Sequence, residues 1–432
     1  MTTNLMTKIT SLCKRRGFIF PSSEIYGGVG GFWDFGPTGV RLKNNVKKAW
    51  WQAIVEMRED VYPIDSTIIH HPKVWQASGH ITSFTDPLKE CKKCHKRFRA
   101  DKLKINQCPV CQGELTEAKQ FNLMFETHVG PAKETANKAY LRPETCQGIF
   151  INFKNVVDTM QPKLPFGIAQ IGKGFRNEIT TGNFIFRDRE FDMMELEFFV
   201  KPGEDEKWHE YWLKERLKWH ESLGINPKKL RFFDHPKKSL AHYSKRTVDI
   251  EYEYPFGWNE LEGIANRTDF DTRNHSKFSG HDLSLQDEKG KKFYPYVVEP
   301  SLGVERMVLV VLCDAYHEEK IKNGKRVVLK LHPKLSPFKV AVFPLLANKP
   351  KLVKKAEKVY QDLKNHFSAA FDDIGNIGKR YRRQDEIGTP WCVTVDYDTL
   401  KNNTVTIRDR DTMKQVRVKI DKLVNYFIKK LK

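Results

Sequence analysis

The chain lacks the features that mark exported and membrane-spanning proteins. No stretch approaches the roughly 18 consecutive apolar residues of a membrane span, and the first residues, MTTNLMTKITSLCKRRGF, lack an apolar signal core of secretory length. The cysteines do not have the spacing of a disulfide framework either, because four of the eight are scattered and the other four form two CxxC pairs. We therefore expect a cytoplasmic protein with no membrane partner.

A glycine-rich phosphate loop of the GxxxxGK[ST] type is also absent. The glycines of YGGVGGFWDFGPTG (26–39) are not followed by a lysine at the required place, so we interpret them as turns. Any bound nucleotide must therefore be held by side chains rather than by such a loop.

The chain does contain a large excess of positive charge. Its 432 residues carry 74 Lys and Arg against 54 Asp and Glu, a formal net charge of +20. This favours an acidic partner such as nucleic acid, although a lysine-rich genome produces basic surfaces without any partner. Residues 336–432 hold 21 basic and 11 acidic side chains, so half of the net charge lies in less than a quarter of the chain.

The pattern of strands and helices predicts two domains. The sequence LKLHPKLSPFK (329–339) clusters Pro and Lys, and we expect a boundary near residue 336, with domains at 1–335 and 336–432. Long strands and a hairpin around Gly182 predict an antiparallel sheet in the first domain. The second domain reads as strand, helix, two strands and helix, which predicts a small α/β fold. The predicted class is α+β.

A cysteine-rich module interrupts the first domain, and we predict its bounds as 88–119. Cys91-x2-Cys94 and Cys108-x2-Cys111 have the spacing of a zinc ribbon or knuckle, in which four thiolates close a tetrahedral Zn²⁺ site. Four cysteines leave no open coordination position, so such a zinc ion would be structural. The alternatives are four reduced surface thiols or an iron–sulfur cluster.

The segment GKGFRNEITTGNFIFRDREFDMMELEFF (172–199) places three arginines and four glutamates on a predicted hairpin. In the returning strand Phe191, Glu195 and Glu197 share one face, while Leu196 lies on the other. A solvated face with cross-strand ion pairs is one interpretation. However, similar mixtures of charged and apolar residues occur at 141–148, 259–271 and 297–312, where a strand ending in Glu299 precedes a helix with Arg306. A carboxylate suits Mg²⁺ and an arginine suits phosphate.

Together these segments resemble the class II aminoacyl-tRNA synthetases. FRNE (175–178) with Arg187-x3-Phe191 resembles their motif 2, GVER (303–306) resembles motif 3, and WDFGPTGVRLKNNVKKAWW (33–51) resembles the dimer-forming motif 1. RPETCQGIF, EPSLGVER and GKRYRRQDEIGTPWCVTVDYDT (378–399) are similar to the homodimeric glycyl-tRNA synthetases. Two departures are Cys146, where alanine is expected, and Glu305, where aspartate is frequent.

The resemblance implies a class II antiparallel-sheet catalytic domain with a zinc-ribbon-like insertion, followed by an anticodon-binding domain. It implies a homodimer that activates glycine with ATP and Mg²⁺ and transfers it to tRNA(Gly), with Arg176, Glu178 and Arg306 as catalytic residues. The implied ATP-binding residues are Arg176, Asn177, Glu178, Phe186, Arg187, Phe191, Glu260, Leu261, Glu299, Gly303 and Arg306. The implied glycine-binding residues are Arg99, Glu144, Phe191, Glu195, Arg267, Glu299 and Ser301. The basic run GKRYRRQDE is expected to supply charge for RNA phosphates and a tyrosine for base stacking.

Two other functions stay open at this point. A synthetase-like protein that has lost catalysis could serve as a nucleic-acid-binding or polymerase-accessory subunit, but it should lose the arginines or the pocket carboxylates, and all of them are present. A zinc-ribbon nucleic-acid-binding module attached to an unrelated enzyme would need only the cysteines, and it would not account for the three motifs.

Overall fold

Helices and strands alternate along the chain in the computed structural model, which describes residues 2–131, 137–321 and 324–431. The helices are α1 (Thr2–Arg15), α2 (Gly39–Trp51), α3 (Pro72–Ala77), α4 (His80–Ser83), α5 (Cys146–Met160), α6 (Asp205–Ser222), α7 (Phe270–Ser279), α8 (Val304–Ala315), α9 (Pro350–Lys364), α10 (Ile377–Ile387), α11 (Tyr397–Asn402) and α12 (Leu423–Leu431). The strands are β1 (Ile19–Pro21), β2 (Trp33–Phe35), β3 (Val61–Pro63), β4 (Ile69–His70), β5 (Thr85–Glu90), β6 (Arg97–Arg99), β7 (Lys119–Asn122), β8 (Phe125–His128), β9 (Lys138–Leu141), β10 (Phe166–Phe175), β11 (Glu190–Val200), β12 (Leu230–Asp234), β13 (Arg246–Tyr254), β14 (Gly257–Thr268), β15 (Leu285–Gln286), β16 (Lys292–Phe293), β17 (Tyr296–Gly303), β18 (Tyr316–Ile321), β19 (Gly324–Leu329), β20 (Val340–Pro344), β21 (Ala369–Phe371), β22 (Trp391–Val395), β23 (Thr404–Asp409) and β24 (Gln415–Lys419).

A seven-stranded sheet organises the first part of the chain. Its strands lie in the order β12-β13-β14-β17-β11-β10-β3, and every neighbouring pair is antiparallel except β10 with β3. The predicted antiparallel sheet is therefore confirmed. The predicted hairpin is β10 and β11, but the two strands are joined by a long connection at 176–189 rather than by a short turn.

Helices pack on one face of this sheet. Side chains of α2, α6 and α8 pack with those of the central strands in one large core, which includes Leu196, Phe198, Trp212 and Trp219. The sequence already indicates that α6 packs against a core, since Trp212 and Trp219 are spaced to share one side of a helix. The opposite face carries α5 at one end, where Phe153 packs against β10 and β11, and its central part borders a cavity. We call it the open face.

Gly27, Gly30 and Gly31 lie in turns, as expected, whereas Gly39 begins helix α2. Gly31 has a φ of 77°, and a Cβ at this position would lie 2.3 Å from Cγ2 of Thr181 in the connection between β10 and β11. This close approach requires glycine. The turn therefore lies directly against that connection, and Arg189 also donates a hydrogen bond to the carbonyl oxygen of Gly30.

The last part of the chain forms a separate α/β unit with its own core. Its sheet has the order β21-β20-β22-β23-β24, with β20 parallel to β21 and β22. Side chains from α9 and α12, including Val359 and Phe427, pack on this sheet. The predicted α/β fold is confirmed. The boundary near 336 remains a prediction, and residues 1, 132–136, 322–323 and 432 of the predicted domains lie outside the described residues.

The basic run GKRYRRQDE forms helix α10, and the structure corrects its interpretation. Arg380 is buried and donates hydrogen bonds to three backbone carbonyl oxygens of its own domain. Tyr381 lies edge-on to Phe343 and shares a hydrogen bond with Thr394, and Arg383 forms two hydrogen bonds with Asp372. The expectation that this run supplies charge for RNA phosphates is therefore wrong for Arg380, which is buried against backbone carbonyl oxygens. Tyr381 is half-buried, and its role in base stacking stays a prediction.

No helix of the described residues is long and apolar enough to cross a membrane.

A cluster of polar groups is buried between the large sheet and helix α6. Glu262 of β14 accepts a hydrogen bond of 2.6 Å from Arg216, and its other carboxylate oxygen lies 2.6 Å from Nε2 of His220. All three side chains are essentially inaccessible to solvent. Burial opposes ionisation of Glu262, but Arg216 and His220 hold the pKa of its carboxyl below its ordinary value.

We predict that Glu262→Ala destabilises the protein by about 3–5 kcal/mol, because it leaves the Arg216 guanidinium buried without its carboxylate. Scanning calorimetry and denaturant unfolding measure the loss. The matched control is the double variant Arg216→Met with Glu262→Leu, which removes both charges and is expected to recover most of the stability. A single variant as stable as the wild type, or a double variant no better than the single, would contradict this account.

Candidate active site

The open face of the large sheet carries alternate residues of its central strands. Glu195 of β11 lies opposite Ser301 of β17, and Ser301 in turn lies opposite Gly263 of β14. Because side chains alternate, Leu196 points into the core while Glu195 lies on the open face. Along β17 the same face presents Glu299, Ser301 and Gly303, a span of about 13 Å at 3.3 Å per residue.

These residues line a cavity of about 260 Å³. It brings together most of the predicted site residues: Glu144, Arg176, Glu178, Phe186, Arg187, Phe191, Glu195, Glu260, Glu299, Ser301, Gly303 and Arg306. Further lining residues are Ile185, Asp188, Met193, Tyr243, Thr247, Gly263, Ala265 and Glu305. The charges of Glu144, Glu195 and Glu299 act on one another, and we call this group the acidic side. Arg176, Arg187 and Arg306, with the carboxylates of Glu178 and Glu260, form the group that we call the arginine-rich side.

Glu195 belongs to the acidic side and has a complete set of donors. Ser301 donates a hydrogen bond of 2.8 Å to Oε1, and the backbone N–H of Thr145 donates one of 2.7 Å to Oε2. The Thr145 hydroxyl donates to the same oxygen. Thr145 immediately precedes α5, so the carboxylate also lies at the positive end of a helix. Burial and the charge of Glu144 nevertheless raise the pKa of Glu195.

Glu144 is held by three side chains that the sequence analysis did not select. Its Oε1 lies 3.3 Å from Nε2 of His80, and it accepts hydrogen bonds from the Cys146 thiol at 2.8 Å and from Gln147 at 3.1 Å. Burial opposes ionisation, but His80 and the other neighbours hold the pKa of Glu144 well below its ordinary value. Glu144 is therefore a stable negative charge inside the cavity.

Arg267 lies beneath the cavity and bridges two further carboxylates. It donates two hydrogen bonds to Asp271, at 2.7 and 3.0 Å, and one of 2.9 Å to Glu299. Its guanidinium lies 3.8 Å from the ring centroid of Tyr243. Burial raises the pKa of Glu299 to about 7 although Arg267 opposes the shift. Glu299 is therefore close to its titration midpoint at neutral pH.

Glu197 lies deeper on the same strand face and is fully buried. Among the described residues neither of its carboxylate oxygens has a hydrogen-bond partner. Burial, together with the charge of Glu299, raises its pKa well above the ordinary value. Burial therefore favours the neutral form of Glu197.

The arginine-rich side begins at Arg176, the first residue after β10. Its Nε donates a hydrogen bond of 3.0 Å to the carbonyl oxygen of Pro143. The guanidinium lies 5.4 Å from the ring centroids of both Phe84 and Phe191, which is the distance of a cation–π contact. In the described part of the chain it forms no ion pair with a carboxylate, so its outer N–H groups face the cavity with their full charge.

Two more arginines of this side are paired with carboxylates. Arg306, in the first turn of α8, lies 2.8 Å from Glu260 and 4.9 Å from the ring centroid of Phe186. Arg187 lies 3.5 Å from Glu178. These carboxylates hold the arginines in extended positions across the cavity. A bound anion could replace the carboxylates because the guanidinium donors match its oxygens.

Two family models match the chain. The "tRNA synthetase class II core domain (G, H, P, S and T)" matches residues 125–315, and the "Anticodon binding domain" matches residues 339–430. The glycine–tRNA ligase of Streptomyces coelicolor is 54% identical and the alignment covers 100% of this chain and 99% of that protein. Glycine–tRNA ligases of Thermobifida fusca, at 54% identity over 99% and 98%, and of Treponema denticola, at 51% over 97% and 96%, are also similar.

The chain belongs to the glycine–tRNA ligase family. The family, the class II fold and the ligase activity that the sequence predicts are confirmed by these matches. ATP, an amino acid and tRNA are accordingly substrates of this ligase. The matches do not test the individual site residues, which remain predictions.

Four predicted site residues of this ligase lie outside the cavity. Leu261 is fully buried in the core on the other face of β14, and Asn177 is absent from the lining residues. Arg267 acts from below through Glu299. Arg99 lines an adjoining cavity of about 410 Å³ that shares Phe186, Arg187, Glu260 and Arg306, and its guanidinium pairs with Asp86 at 2.7 Å and with Asp101.

His80, Tyr243 and Asp271 were not predicted from the sequence, and they come from three other segments of the chain. Short local patterns gave no signal for His80 and Tyr243, because their partners Glu144 and Arg267 are distant in sequence. Asp271 lies only four residues after Arg267, and this i,i+4 spacing of opposite charges was a signal that could have identified it. Asp188 was missed as well. Its carboxylate oxygens have no hydrogen-bond partner among the described residues, and burial and Glu305 raise its pKa to about 8. A neutral Asp188 does not repel an anion that enters the cavity.

The four cysteines of the predicted metal site come together outside the cavity. Sγ of Cys91 lies 3.5 Å from that of Cys111, and Sγ of Cys94 lies 3.6 Å from that of Cys108. Four sulfurs at 2.3 Å from a tetrahedral Zn²⁺ would be separated by about 3.8 Å. The module's strands form a three-stranded sheet in the order β6-β5-β7.

A second group of side chains that could hold a metal ion lies beside the cavity and consists of Cys146, Glu197 and Glu299, which are all buried.

Proposed function

We propose that this ligase activates glycine in the cavity between the acidic side and the arginine-rich side of the sheet. The observation that carries the proposal is that the mutually close carboxylates of Glu144, Glu195 and Glu299 line the same cavity as the guanidinium groups of Arg176, Arg187 and Arg306. Glycine has an ammonium group and a carboxylate, and ATP has a polyanionic chain. The distribution of charge therefore orients both substrates for one reaction.

The acidic side binds and selects glycine. Carboxylates of Glu144 and Glu195 attract the ammonium group, and Ser301 and Thr145 fix the orientation of Glu195. Arg267 fixes Glu299 from below. A methyl group on the α-carbon would separate the ammonium from one of these carboxylates and leave it buried without a partner. Rejection of alanine therefore needs no additional pocket.

The arginine-rich side binds ATP and stabilises the charge that develops during adenylate formation. The glycine carboxylate attacks the α-phosphorus of ATP, and pyrophosphate leaves with the electrons of the broken P–O bond. Arg176 neutralises the α-phosphate and the attacking carboxylate, while Arg187 and Arg306 bind the distal phosphates. Phe191 stacks on adenine, and Glu178 accepts a hydrogen bond from its amino group. The 3′-terminal ribose hydroxyl of tRNA(Gly) then attacks the glycyl carbonyl, and AMP leaves.

The oxygen donors suit one Mg²⁺ ion at Glu260. Its side chain is 44% exposed and lines both adjoining cavities, so a phosphate-bound cation can reach it. Glu299 fits a cation less well because Arg267 occupies one of its oxygens. When bound, Mg²⁺ would neutralise the charge of the pyrophosphate leaving group.

The four clustered cysteines fit a structural Zn²⁺ ion. The sulfur separations agree with tetrahedral coordination, and the core of the module contains only a few apolar residues such as Leu115 and Phe98. A module this small is commonly stabilised by a metal. The metal would hold β5 and β6 in place, and with them Arg99 beside the active site.

We also propose a cytoplasmic homodimer. The support is the motif 1 resemblance of α2 and the apolar surface that precedes it, where Ile25 and Tyr26 are 87% and 86% exposed. An exposed patch of this kind is typical of a protein interface. The cytoplasm is the compartment in which tRNA substrates are charged, and its reducing conditions suit eight unpaired cysteines.

The first prediction concerns adenylate formation. The purified protein is expected to catalyse glycine-dependent ATP–pyrophosphate exchange, and Arg176→Ala is expected to lower the rate by about 100-fold or more, because it removes a cation from the transition state. Alanine is expected to support little exchange. A folded wild-type protein without exchange, or robust exchange with alanine, would contradict the proposed function or the proposed selectivity, respectively.

The second prediction concerns pH. Because the pKa of Glu299 is raised to about 7, its carboxyl is mostly neutral at pH 6 and mostly ionised at pH 8. The KM for glycine at saturating ATP is therefore expected to fall by up to about tenfold as pH rises over this range. In Glu299→Gln the KM should be higher and independent of pH. A pH-independent KM in the wild type would exclude this role.

The third prediction concerns zinc. Atomic absorption is expected to find one Zn²⁺ per chain, and Cys94→Ser is expected to lose it together with part of the thermal stability. Cys392→Ser is the matched control, since Cys392 is a buried cysteine of the C-terminal unit. Equal zinc contents in the wild type and Cys94→Ser would count against the site.

A further inference from the structure

The hairpin formed by β18 and β19 connects the active site with the C-terminal unit. Strand β18 begins at Tyr316, directly after the last residue of α8, and α8 begins two residues before Arg306. Strand β19 packs against α10 of the C-terminal unit. A continuous path of regular structure therefore runs from an ATP-side arginine to the helix that carries the GKRYRRQDE sequence.

Arg326 of β19 makes the central contact of this junction. Its guanidinium is completely buried and lies 3.2 Å from the Asp385 carboxylate of α10. It also donates hydrogen bonds to the backbone carbonyl oxygens of Arg410 and Asp411, at 2.8 and 3.3 Å. On its own hairpin it pairs with Glu319. One cation is thus shared between the hairpin and two segments of the C-terminal unit.

Asp385 is surrounded by arginines from its own unit as well. Arg408 of β23 donates two hydrogen bonds to it, at 2.8 and 3.1 Å, and Arg382 lies at 3.1 Å. Asp385 is only 1% exposed. Removal of Arg326 would therefore leave this carboxylate with two cations, and Glu319 would keep Lys330 at 2.8 Å. The C-terminal unit does not need Arg326 to satisfy its own charges.

A charge buried at a junction needs a functional explanation, because a buried ion pair adds little net stability compared with apolar side chains. What a buried pair does supply is a fixed geometry. The two partners must meet with the correct distance and direction, or each remains unpaired in a dry environment. The contact therefore fixes the orientation of α10 relative to α8 more strictly than an apolar contact of similar area.

We propose that Arg326 is a positioning residue that transmits engagement of the tRNA anticodon by the C-terminal unit to the catalytic site through Asp385 and the hairpin. This rests on the assignment of residues 339–430 as the unit that binds the anticodon. The coupling acts on the step that uses tRNA. Arg326 does not line the cavity that binds glycine and ATP, so glycine activation does not require it.

The test compares two RNA substrates with the variant Arg326→Met. Full-length tRNA(Gly) contacts both units, whereas a minihelix of the acceptor stem contacts the catalytic domain alone. We expect kcat/KM for full-length tRNA to fall about tenfold, with unchanged minihelix charging and unchanged glycine-dependent pyrophosphate exchange. The conservative Arg326→Lys should restore part of the loss, because it returns the charge but not the fork of donors.

Arg15→Met is the matched control. Arg15 of α1 also pairs with α10 across the junction, through Glu386 at 3.2 Å, but its side chain is 41% exposed. Exposed pairs contribute little, so we expect less than about a twofold change. Equal losses on both RNAs, or no loss on full-length tRNA, would overturn the proposed coupling. If the wild-type protein charged the minihelix as efficiently as the full tRNA, the assignment of residues 339–430 as the anticodon-binding unit would fail, and the proposed coupling would fail with it.

Discussion

The acidic side of the active site depends on one buried cation, Arg267. An ionised carboxylate is costly to bury, and this region contains several of them. Arg267 lowers the cost by pairing with Asp271 and Glu299 at once, and the Tyr243 ring shields its remaining face. Without that cation, burial would favour the protonated form of Glu299. Glu299 would then no longer add to the charge that attracts an ammonium group, and only Glu144, which His80 also holds, and Glu195 would remain to bind it.

The side chains of the arginine-rich side are held in a different way. Arg306 and Arg187 reach across the cavity because Glu260 and Glu178 pair with them. The Arg306–Glu260 pair is partly exposed, so it costs little to separate and a polyanion can take over the arginine. In the other pair Arg187 is partly exposed, but Glu178 is buried. Arg176 instead rests against two aromatic rings and keeps its outer donors free, while its Nε donates to the carbonyl oxygen of Pro143. Arg306 is therefore held by an exchangeable partner, whereas Arg176 is held by groups that an anion does not replace.

The alternation of β11 was readable from the sequence, since the period of a strand assigns Glu195 to one face and Leu196 to the other. Motif spacing likewise located Arg176 and Arg306. Leu261 directly follows Glu260, so the same alternation predicts that its side chain lies on the core face rather than in the cavity. The packing of α10 was not readable, because a basic sequence resembles an exposed surface although Arg380 is buried against carbonyl oxygens. His80 could not be predicted because its role depends on Glu144, 64 residues away.

The helix that carries the motif 1 resemblance is linked to the catalytic strands by another buried cation. Lys43 of α2 lies 2.6 Å from Asp192 of β11 and 2.5 Å from Glu305 of α8. Burial alone would lower the pKa of Lys43, but the two carboxylates raise it. Glu305 also accepts the backbone N–H of Asp192. A movement of α2 would break this set of contacts beside Arg306. The segments that resemble motifs 1, 2 and 3 therefore depend on these shared contacts to keep their positions relative to one another.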